Sequence, residues 1–112
     1  MSAVTTHVLD TSLGRPAVGV PITLARLDDG AWKDLGAGET DKDGRLQTLL
    51  PNGPLLVGTY LIVFDTAAYF RAQKTEGFYA TVSVEFVVKD ATAHYHVPLL
   101  LSPYGYSTYR GS

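Results

Sequence analysis

Hydrophobic and polar residues alternate along most of the chain with the period of two that is typical of half-buried β-strands. In the first run, valines occupy one face and His7 occupies the other. The alternation is most regular in residues 78–89, where valine and phenylalanine are interleaved with threonine, serine and glutamate. The strands predicted from this pattern are residues 4–9, 21–27, 32–38, 45–50, 59–64, 78–89, 93–101 and 104–109.

Residues 65–73 are the exception to the β pattern. Asp65 or Thr66 can cap a helix, the alanines that follow favour one, and Gly77 lies beyond its predicted end. Turn signals rich in aspartate, glycine and proline occur at residues 28–30, 40–44 and 51–54. About eight short strands with one short helix predict an all-β fold, a two-sheet β-sandwich.

The length of 112 residues predicts one domain over residues 1–112, because a second hydrophobic core would leave each half too small. No apolar run approaches the ~18 residues that a membrane-spanning helix needs. The first residues, Met1 to Val4, lack the basic and apolar regions of a signal peptide. We therefore expect a cytoplasmic protein without a membrane partner.

Charge and cysteine content narrow the possible chemistry. Nine lysines and arginines stand against eleven acidic residues, and no basic cluster is visible, so we expect no nucleic-acid partner. The absence of cysteine removes disulfides, thiol nucleophiles and cysteine-based zinc sites. Three histidines, five arginines, the carboxylates and seven tyrosines remain as candidate functional groups.

Three strands each place a chemically capable residue off the core face. His7 lies opposite the valines of its strand, Arg45 opposite Leu46, and His96 opposite the neighbouring apolar residues. For any one of them, a solvated surface side chain is the commoner explanation. The coincidence on three strands is more informative, and it makes His7, Arg45 and His96 candidate site residues.

The pair His94-x-His96 also allows a metal site. Two imidazoles two residues apart on a strand lie roughly 7 Å from each other and can bind zinc, with His7 or a carboxylate as a third ligand. This short motif often occurs by chance. The segment Asp41 to Gly44 does not fit a calcium loop, because its glycine stands at the fourth position instead of the sixth. No Ser/His/Asp triad is readable, because alternation places Asp10 on the face opposite His7.

Several segments resemble the transthyretin-like family. They are Thr6 to Ala17, Thr40 to Arg45 and His94 to Ser112, together with the short helix. The last four residues, Tyr109-Arg110-Gly111-Ser112, resemble the signature of the enzyme branch of that family, the 5-hydroxyisourate hydrolases. The hormone-carrier branch lacks both this ending and the histidine pair.

The resemblance implies a transthyretin-like sandwich that assembles as a homotetramer, a dimer of dimers. It implies hydrolysis of 5-hydroxyisourate, which opens the six-membered ring to 2-oxo-4-hydroxy-4-carboxy-5-ureidoimidazoline, without cofactor or metal. His7, Arg45 and His96 become the expected catalytic residues, and the expected substrate-binding residues are His7, Arg45, Tyr109 and Ser112. His94 receives no role. The alternative is a non-enzymatic carrier of a small aromatic ligand.

These residue types suit the implied reaction. Histidine, with a pKa near 6.5, takes and returns a proton near neutral pH, so we expect His7 and His96 to activate water and shuttle protons. The planar guanidinium of Arg45 suits carbonyls and a developing oxyanion. Tyr109 is expected to contact substrate, and the Ser112 α-carboxylate to orient a neighbouring group. Because the outer face of one sandwich is open to water, we expect the site to lie at a subunit interface.

Overall fold

The computed structural model describes residues 2–50 and 54–112, which form nine strands and one helix. The helix, α1, spans Thr66–Ala72. The strands are β1 (Val4–Asp10), β2 (Arg15–Pro16), β3 (Pro21–Asp28), β4 (Ala31–Glu39), β5 (Arg45–Leu46), β6 (Gly58–Phe64), β7 (Val82–Val88), β8 (Tyr95–Ser102) and β9 (Gly105–Thr108). The prediction of an all-β sandwich with a short helix is confirmed. The additional strand is β2, which is only two residues long and carries no alternation to read.

The strands form two sheets. Sheet I has the order β2-β1-β8-β9, with β5 also paired to β1, and sheet II has the order β4-β3-β6-β7. The pairing of β1 with β8 is parallel, whereas the other pairings within named strands are antiparallel. Residues from opposite ends of the chain therefore become neighbours at the centre of sheet I.

The core lies between the inner faces of the two sheets. Alternate residues of each central strand are fully buried there, as burial of apolar surface requires of a sandwich. The largest fully buried side chains include Val4, Val8, Ile22, Leu24, Tyr60, Ile62, Phe64, Val82, Leu99 and Leu101. Because Val4 and Val8 of β1 face the core, the residues that alternate with them, including His7, lie on the outer face of sheet I.

The helix is fixed at its N-terminal end and along its buried side. The Asp65 carboxylate accepts a hydrogen bond from the Ala68 backbone N–H and caps the first turn. The Tyr69 hydroxyl donates to the Asp10 carboxylate at 2.6 Å, which ties α1 to the end of β1. Asp10 is buried on the core side, as predicted, and is separate from His7.

Hydrogen bonding keeps the buried Asp10 carboxylate ionised. Burial by itself raises the pKa of Asp10, but the hydrogen bonds from Ser12, Tyr69 and the Leu13 backbone together lower it by more, so that the net pKa lies below its usual value. Burial raises the pKa of Tyr69, and the hydrogen bond to Asp10 and the Asp10 charge raise it further. The neutral tyrosine therefore serves as a donor at all ordinary pH values.

Two predicted strands exceed those observed by four residues or more. The strand predicted at 45–50 ends at Leu46, because the adjacent Leu49 and Leu50 are both buried, which a straight strand with one covered face does not allow. The strand predicted at 78–89 begins only at Val82, and the Phe78 backbone N–H instead bonds to the Pro103 carbonyl at 2.7 Å.

The predicted turns have two different outcomes. The turn at residues 28–30 is confirmed: β3 and β4 form a hairpin in which Asp29 and Gly30 have positive φ of 52° and 77°. The turn predicted at 51–54 lies, apart from Pro54, outside the described residues. Within the described ranges, no helix has the length and apolar character needed to cross a membrane.

Candidate active site

His7 and Arg45 are direct partners across the β1–β5 pair. The turn before β5 creates this arrangement. The Asp41 carboxylate accepts hydrogen bonds from the Asp43 and Arg45 backbone N–H groups at 2.8 and 3.0 Å, and the chain reverses through Gly44 with φ of 75°. Arg45 is exposed and His7 is half-buried, so both side chains stand on the open outer face of sheet I.

The His7 ring has a defined proton arrangement. Its Nε2 lies 3.0 Å from the Asp43 backbone oxygen. Because a carbonyl oxygen only accepts hydrogen bonds, Nε2 carries the hydrogen of this pair. In the neutral ring Nδ1 is then the nitrogen with a free lone pair, and it is available to accept a proton.

His96 joins the same face through the parallel pairing of β1 and β8. In this register Thr5 faces His96 and His7 faces Pro98. With strands about 4.8 Å apart and a rise of about 3.3 Å per residue, the Cα atoms of His7 and His96 lie roughly 8 Å from each other. Three strands thus bring His7, Arg45 and His96 together on one face, as the alternation predicted.

Beneath the histidines lies a buried hydroxyl. Thr5 is only 2% exposed, and its Oγ1 lies 2.8 Å from Nδ1 of His96 and 3.0 Å from Nε2 of His94. The two imidazole rings have centroids 6.4 Å apart. One hydroxyl therefore joins the half-buried His96 to the exposed His94.

The surroundings of His96 disfavour its charged form. Burial makes the largest contribution to a lowered pKa of His96, and the positive charges of His7, His94 and Arg45 lower it further. A hydrogen bond with the Thr5 backbone acts in the opposite direction but does not outweigh them. His96 is consequently held neutral to lower pH than a free imidazole, as a general base near neutral pH requires.

The C-terminal segment crosses directly over His96. The Gly111 backbone N–H donates to the His96 carbonyl at 2.8 Å, and the two residues form an isolated antiparallel bridge. A Cβ at residue 111 would lie 2.5 Å from Cδ2 of His96 and 3.2 Å from Cγ of Pro98. Glycine is therefore the residue that allows the chain to pass at this distance.

Tyr109 and Ser112 occupy different surroundings. Tyr109 is 57% exposed and lines a cavity of about 140 Å³ with Val84, Phe86 and Val97, at the edge where the two sheets open. Ser112 is exposed and follows Gly111, which places it next to the segment that covers His96. The predicted substrate contacts of Tyr109 and Ser112 stay predictions.

The zinc interpretation finds no third ligand in the part of the chain described here. Across residues 2–50 and 54–112, no group of three or more histidine, cysteine, aspartate or glutamate side chains could hold a metal ion. Nε2 of His94 and Nδ1 of His96 instead share the hydroxyl of Thr5 on the neighbouring strand β1.

Sequence reasoning missed Thr5 and Gly111. The alternation places Thr5 on the same face as His7, so its orientation was readable. Its contact with His96 depends on a parallel pairing between residues 91 positions apart, which no local pattern reports. Gly111 lies in the recognised ending, but its close approach to the imidazole depends on the fold of the whole sheet.

The fold, with its site on the outer face of sheet I, first identifies the structural class of the protein. A sandwich of this topology is transthyretin-like: the crystal structure of sea bream transthyretin in complex with thyroxine matches with a TM-score of 0.89 and 31% identity, covering 98% of this chain and 95% of that chain. A family profile for the HIUase/Transthyretin family matches residues 4–111. The chain belongs to this family.

Relatives within the family are named as hydrolases. A 5-hydroxyisourate hydrolase 2 of Rhizobium meliloti is 50% identical over 96% of this chain and 94% of the relative. The structure of Klebsiella pneumoniae 5-hydroxyisourate hydrolase covers 100% of both chains, with a TM-score of 0.87 and 37% identity. The resemblance inferred from the terminal motifs is confirmed.

Proposed function

We propose that this protein, an enzyme of the 5-hydroxyisourate hydrolase kind, opens the six-membered ring of 5-hydroxyisourate in purine catabolism through a water molecule activated by histidine. The product is 2-oxo-4-hydroxy-4-carboxy-5-ureidoimidazoline. The observation that carries the mechanism is the convergence of His7, Arg45 and His96 on one outer face, where His7 and Arg45 are cross-strand partners and both act electrostatically on His96. Relatives at 45–50% identity bear this activity in their names.

The reaction breaks one carbon–nitrogen bond. The oxygen of water adds to the ring carbonyl carbon while a histidine takes one of its protons. The tetrahedral intermediate then expels the ring nitrogen, which takes a proton and becomes part of the ureido group, and the carbonyl carbon becomes a carboxylate. Because a carboxylate forms and the ureido nitrogen is not basic, each turnover releases one proton.

His7 and His96 share the proton transfers in this scheme. The half-buried, neutral state of His96 suits it to accept a proton near pH 7, and His7 offers its free Nδ1 in the neutral ring. A positioned acid or base of this kind contributes roughly 10²–10⁴-fold to the rate. Both histidines therefore take part in the proposed proton transfers.

Arg45 provides the positive charge for the oxyanion. Its guanidinium stays protonated, so it takes no part in proton transfer, and its planar donors fit the carbonyl groups of the heterocycle. Electrostatic stabilisation of a developing charge strengthens when water is excluded. The exposure of Arg45 in one chain therefore leaves the site incomplete unless something covers it.

We propose that a second subunit covers this site and excludes water from it. We assign the protein to a homotetramer, a dimer of dimers, with the site at an interface. Support comes from the open outer face that carries the site and from several exposed apolar side chains elsewhere on the surface, among them Val18, Val87 and Tyr104. Residues 1–112 act as one domain in this scheme, and the cytoplasmic location stays a prediction.

Substitutions of the site residues test the proposed roles. His7→Ala and Arg45→Ala should each lower kcat/KM for 5-hydroxyisourate by about 10²-fold or more, because each removes a group that acts in the transition state. Arg71→Ala is the matched control, since Arg71 is an exposed arginine on α1 and not on the strands that carry His7, Arg45 and His96, and it should keep full activity. Full activity in both site variants would contradict the assignment.

The subunit-interface proposal has a separate test. Sedimentation of the active enzyme at assay concentrations should show a tetramer, and dilution below the assembly range should lower the activity per chain. A monomer with full activity would exclude a shared site while leaving the hydrolysis itself unaffected.

The carrier alternative rests on the likeness to sea bream transthyretin, whose structure contains thyroxine. A carrier would bind a small aromatic ligand and leave 5-hydroxyisourate unchanged. The histidine and arginine set on the outer face favours the hydrolase.

A further inference from the structure

The Thr5 hydroxyl is placed to move a proton between two histidines. It lies 2.8 Å from Nδ1 of His96 and 3.0 Å from Nε2 of His94, and it is almost completely buried beneath both rings. A hydroxyl has one hydrogen to donate and lone pairs to accept with. To satisfy both contacts, Thr5 donates to one imidazole and accepts from the other.

The two rings are therefore coupled in their proton arrangements. When Nδ1–H of His96 donates to Thr5, the Thr5 hydroxyl donates to Nε2 of His94. When Nε2–H of His94 donates to Thr5, the hydroxyl donates to Nδ1 of His96. Once His96 is protonated on Nε2, a shift of two protons along these hydrogen bonds converts the first arrangement into the second. It moves one positive charge from His96 to His94 with no movement of heavy atoms.

We propose that His94, Thr5 and His96 form a proton relay that carries the proton released in each turnover from the site to solvent. The proposal rests on the hydrolysis proposed above. In the first arrangement Nε2 of His96 is free and accepts a proton from water. The resulting imidazolium passes its Nδ1 proton to the Thr5 oxygen as the Thr5 hydrogen passes to Nε2 of His94. His96 ends neutral and His94 ends protonated.

The exposure of the two histidines gives the relay its direction. His96 is half-buried beneath the Gly111 segment, whereas His94 is exposed and lines a shallow surface cleft with Ser2, Thr92 and the alanines beside them. A proton on His94 therefore exchanges readily with solvent or buffer. Arg45 on β5, and His7 on β1 when it carries a proton, repel a positive charge on His96 and favour its departure toward His94.

The relay gives a role to a residue that the hydrolase scheme leaves unused. Thr5 acts through His96 and is a positioning and proton-transfer residue, since it is buried away from any substrate. Arg110, two residues before the chain end, does not take part, because its guanidinium lies 4.4 Å over the Tyr95 ring. The path therefore runs through Thr5 and His94.

Three variants test the relay. Thr5→Val keeps the shape of the side chain and removes the hydroxyl, so kcat should fall at least about tenfold, part of the ~10²–10⁴ that a positioned proton-transfer group contributes, while KM changes little. Thr5→Ser restores the hydroxyl and should recover most of kcat. Thr6→Val is the control: Thr6 is buried on the same strand and its hydroxyl bonds to the Val97 carbonyl, so its loss affects stability without touching the imidazoles.

The pH profile and added buffer distinguish a relay from a purely structural role. In Thr5→Val and in His94→Gln, imidazole buffer should restore part of the lost kcat, because an external base then removes the proton. Neither a packing defect nor Thr6→Val should respond in this way. Full kcat in Thr5→Val over the whole pH range, or no response to buffer, would overturn the relay.

Nitrogen NMR of the histidine rings gives a readout that does not depend on activity. In the wild-type chain the ¹⁵N shifts of His94 and His96 should change together through the titration, and in Thr5→Val they should change independently. Independent titration in the wild type would exclude the relay even in an active enzyme. Conversely, coupled titration in a chain without hydrolase activity would contradict the proposed function alone.

Discussion

The backbone of Gly111 lies so close to His96 that a side-chain carbon at residue 111 would be 2.5 Å from Cδ2 of the imidazole. This distance is shorter than any ordinary van der Waals contact. Together with the 2.8 Å hydrogen bond from Gly111 N–H to the His96 carbonyl, it holds the ring between the C-terminal segment on one side and Thr5 on the other. The position of the proposed base therefore depends on a glycine.

Gly111→Ala should displace the His96 ring and reduce activity. A misplacement of about 1 Å costs roughly 10²-fold in rate when geometry is critical, so we expect a fall of this order in kcat/KM. Gly105→Ala is the matched control, because the nearest atom to its added Cβ is Ser102 Oγ at 3.7 Å. Equal activity of the two variants would show that the His96 ring tolerates the added carbon.

The pKa of His96 should lie below that of a free imidazole. Burial and the charges of His7, His94 and Arg45 lower the pKa of His96 below the usual 6.5, so the acid limb of kcat/KM should have its midpoint below pH 6.5. As the pH falls, His96 is protonated in the unfolded chain at a higher pH than in the folded chain. The contribution of His96 to the free energy of unfolding therefore falls as the pH decreases from 6.5 through the folded pKa. NMR titration of the His96 ring measures the shift directly. A folded pKa at or above 6.5 would contradict it.

Replacement of Arg45 separates its charge from its shape. Arg45→Met removes a positive charge near His96 and should raise the pKa of His96, whereas Arg45→Lys keeps the charge and should leave that pKa low. Both variants should lose activity, by about 10²–10³-fold, because neither presents the planar donors proposed for the oxyanion. An Arg45→Lys variant with full activity would reduce the role of Arg45 to its charge.

The Tyr69–Asp10 hydrogen bond should contribute to stability and not to catalysis. Tyr69→Phe removes a donor to a buried, ionised carboxylate, and hydrogen bonds to charged groups contribute about 1.5–3 kcal/mol to the free energy of unfolding. Urea unfolding should show a loss of this size. Tyr106→Phe, at an exposed tyrosine, should stay within about 0.5 kcal/mol of the wild type. Equal stability of the two variants would contradict this account.

Local patterns predicted the elements of the fold, because alternation and capping are local effects. The helix shows this: Asp65 caps it and Gln73 ends it, within the predicted bounds of 65–73. The strand from Arg45 was overextended because tertiary packing buries Leu49 and Leu50 together. Strand β2 was missed because two residues are too few to show an alternation of apolar and polar positions.

For the site, the sequence predicted only which face of its strand each side chain occupies. The apolar residues next to His7, Arg45 and His96 indicate that these three side chains point away from the core. The structure places all three on one face of sheet I. Their positions relative to one another could not follow, because β1 and β8 pair in parallel across about ninety residues. The Thr5 hydrogen bonds and the Gly111 contact belong to that long-range pairing, and they are the features that sequence reasoning did not find.

The most direct measurement is the ultraviolet absorbance of freshly generated 5-hydroxyisourate in the presence of the purified chain. The wild-type protein should accelerate the disappearance of the substrate far above its spontaneous decay, and His96→Ala, correctly folded and assembled, should lose most of that acceleration. A folded wild-type protein that leaves the spontaneous rate unchanged, or a His96→Ala variant as fast as the wild type, would contradict the account.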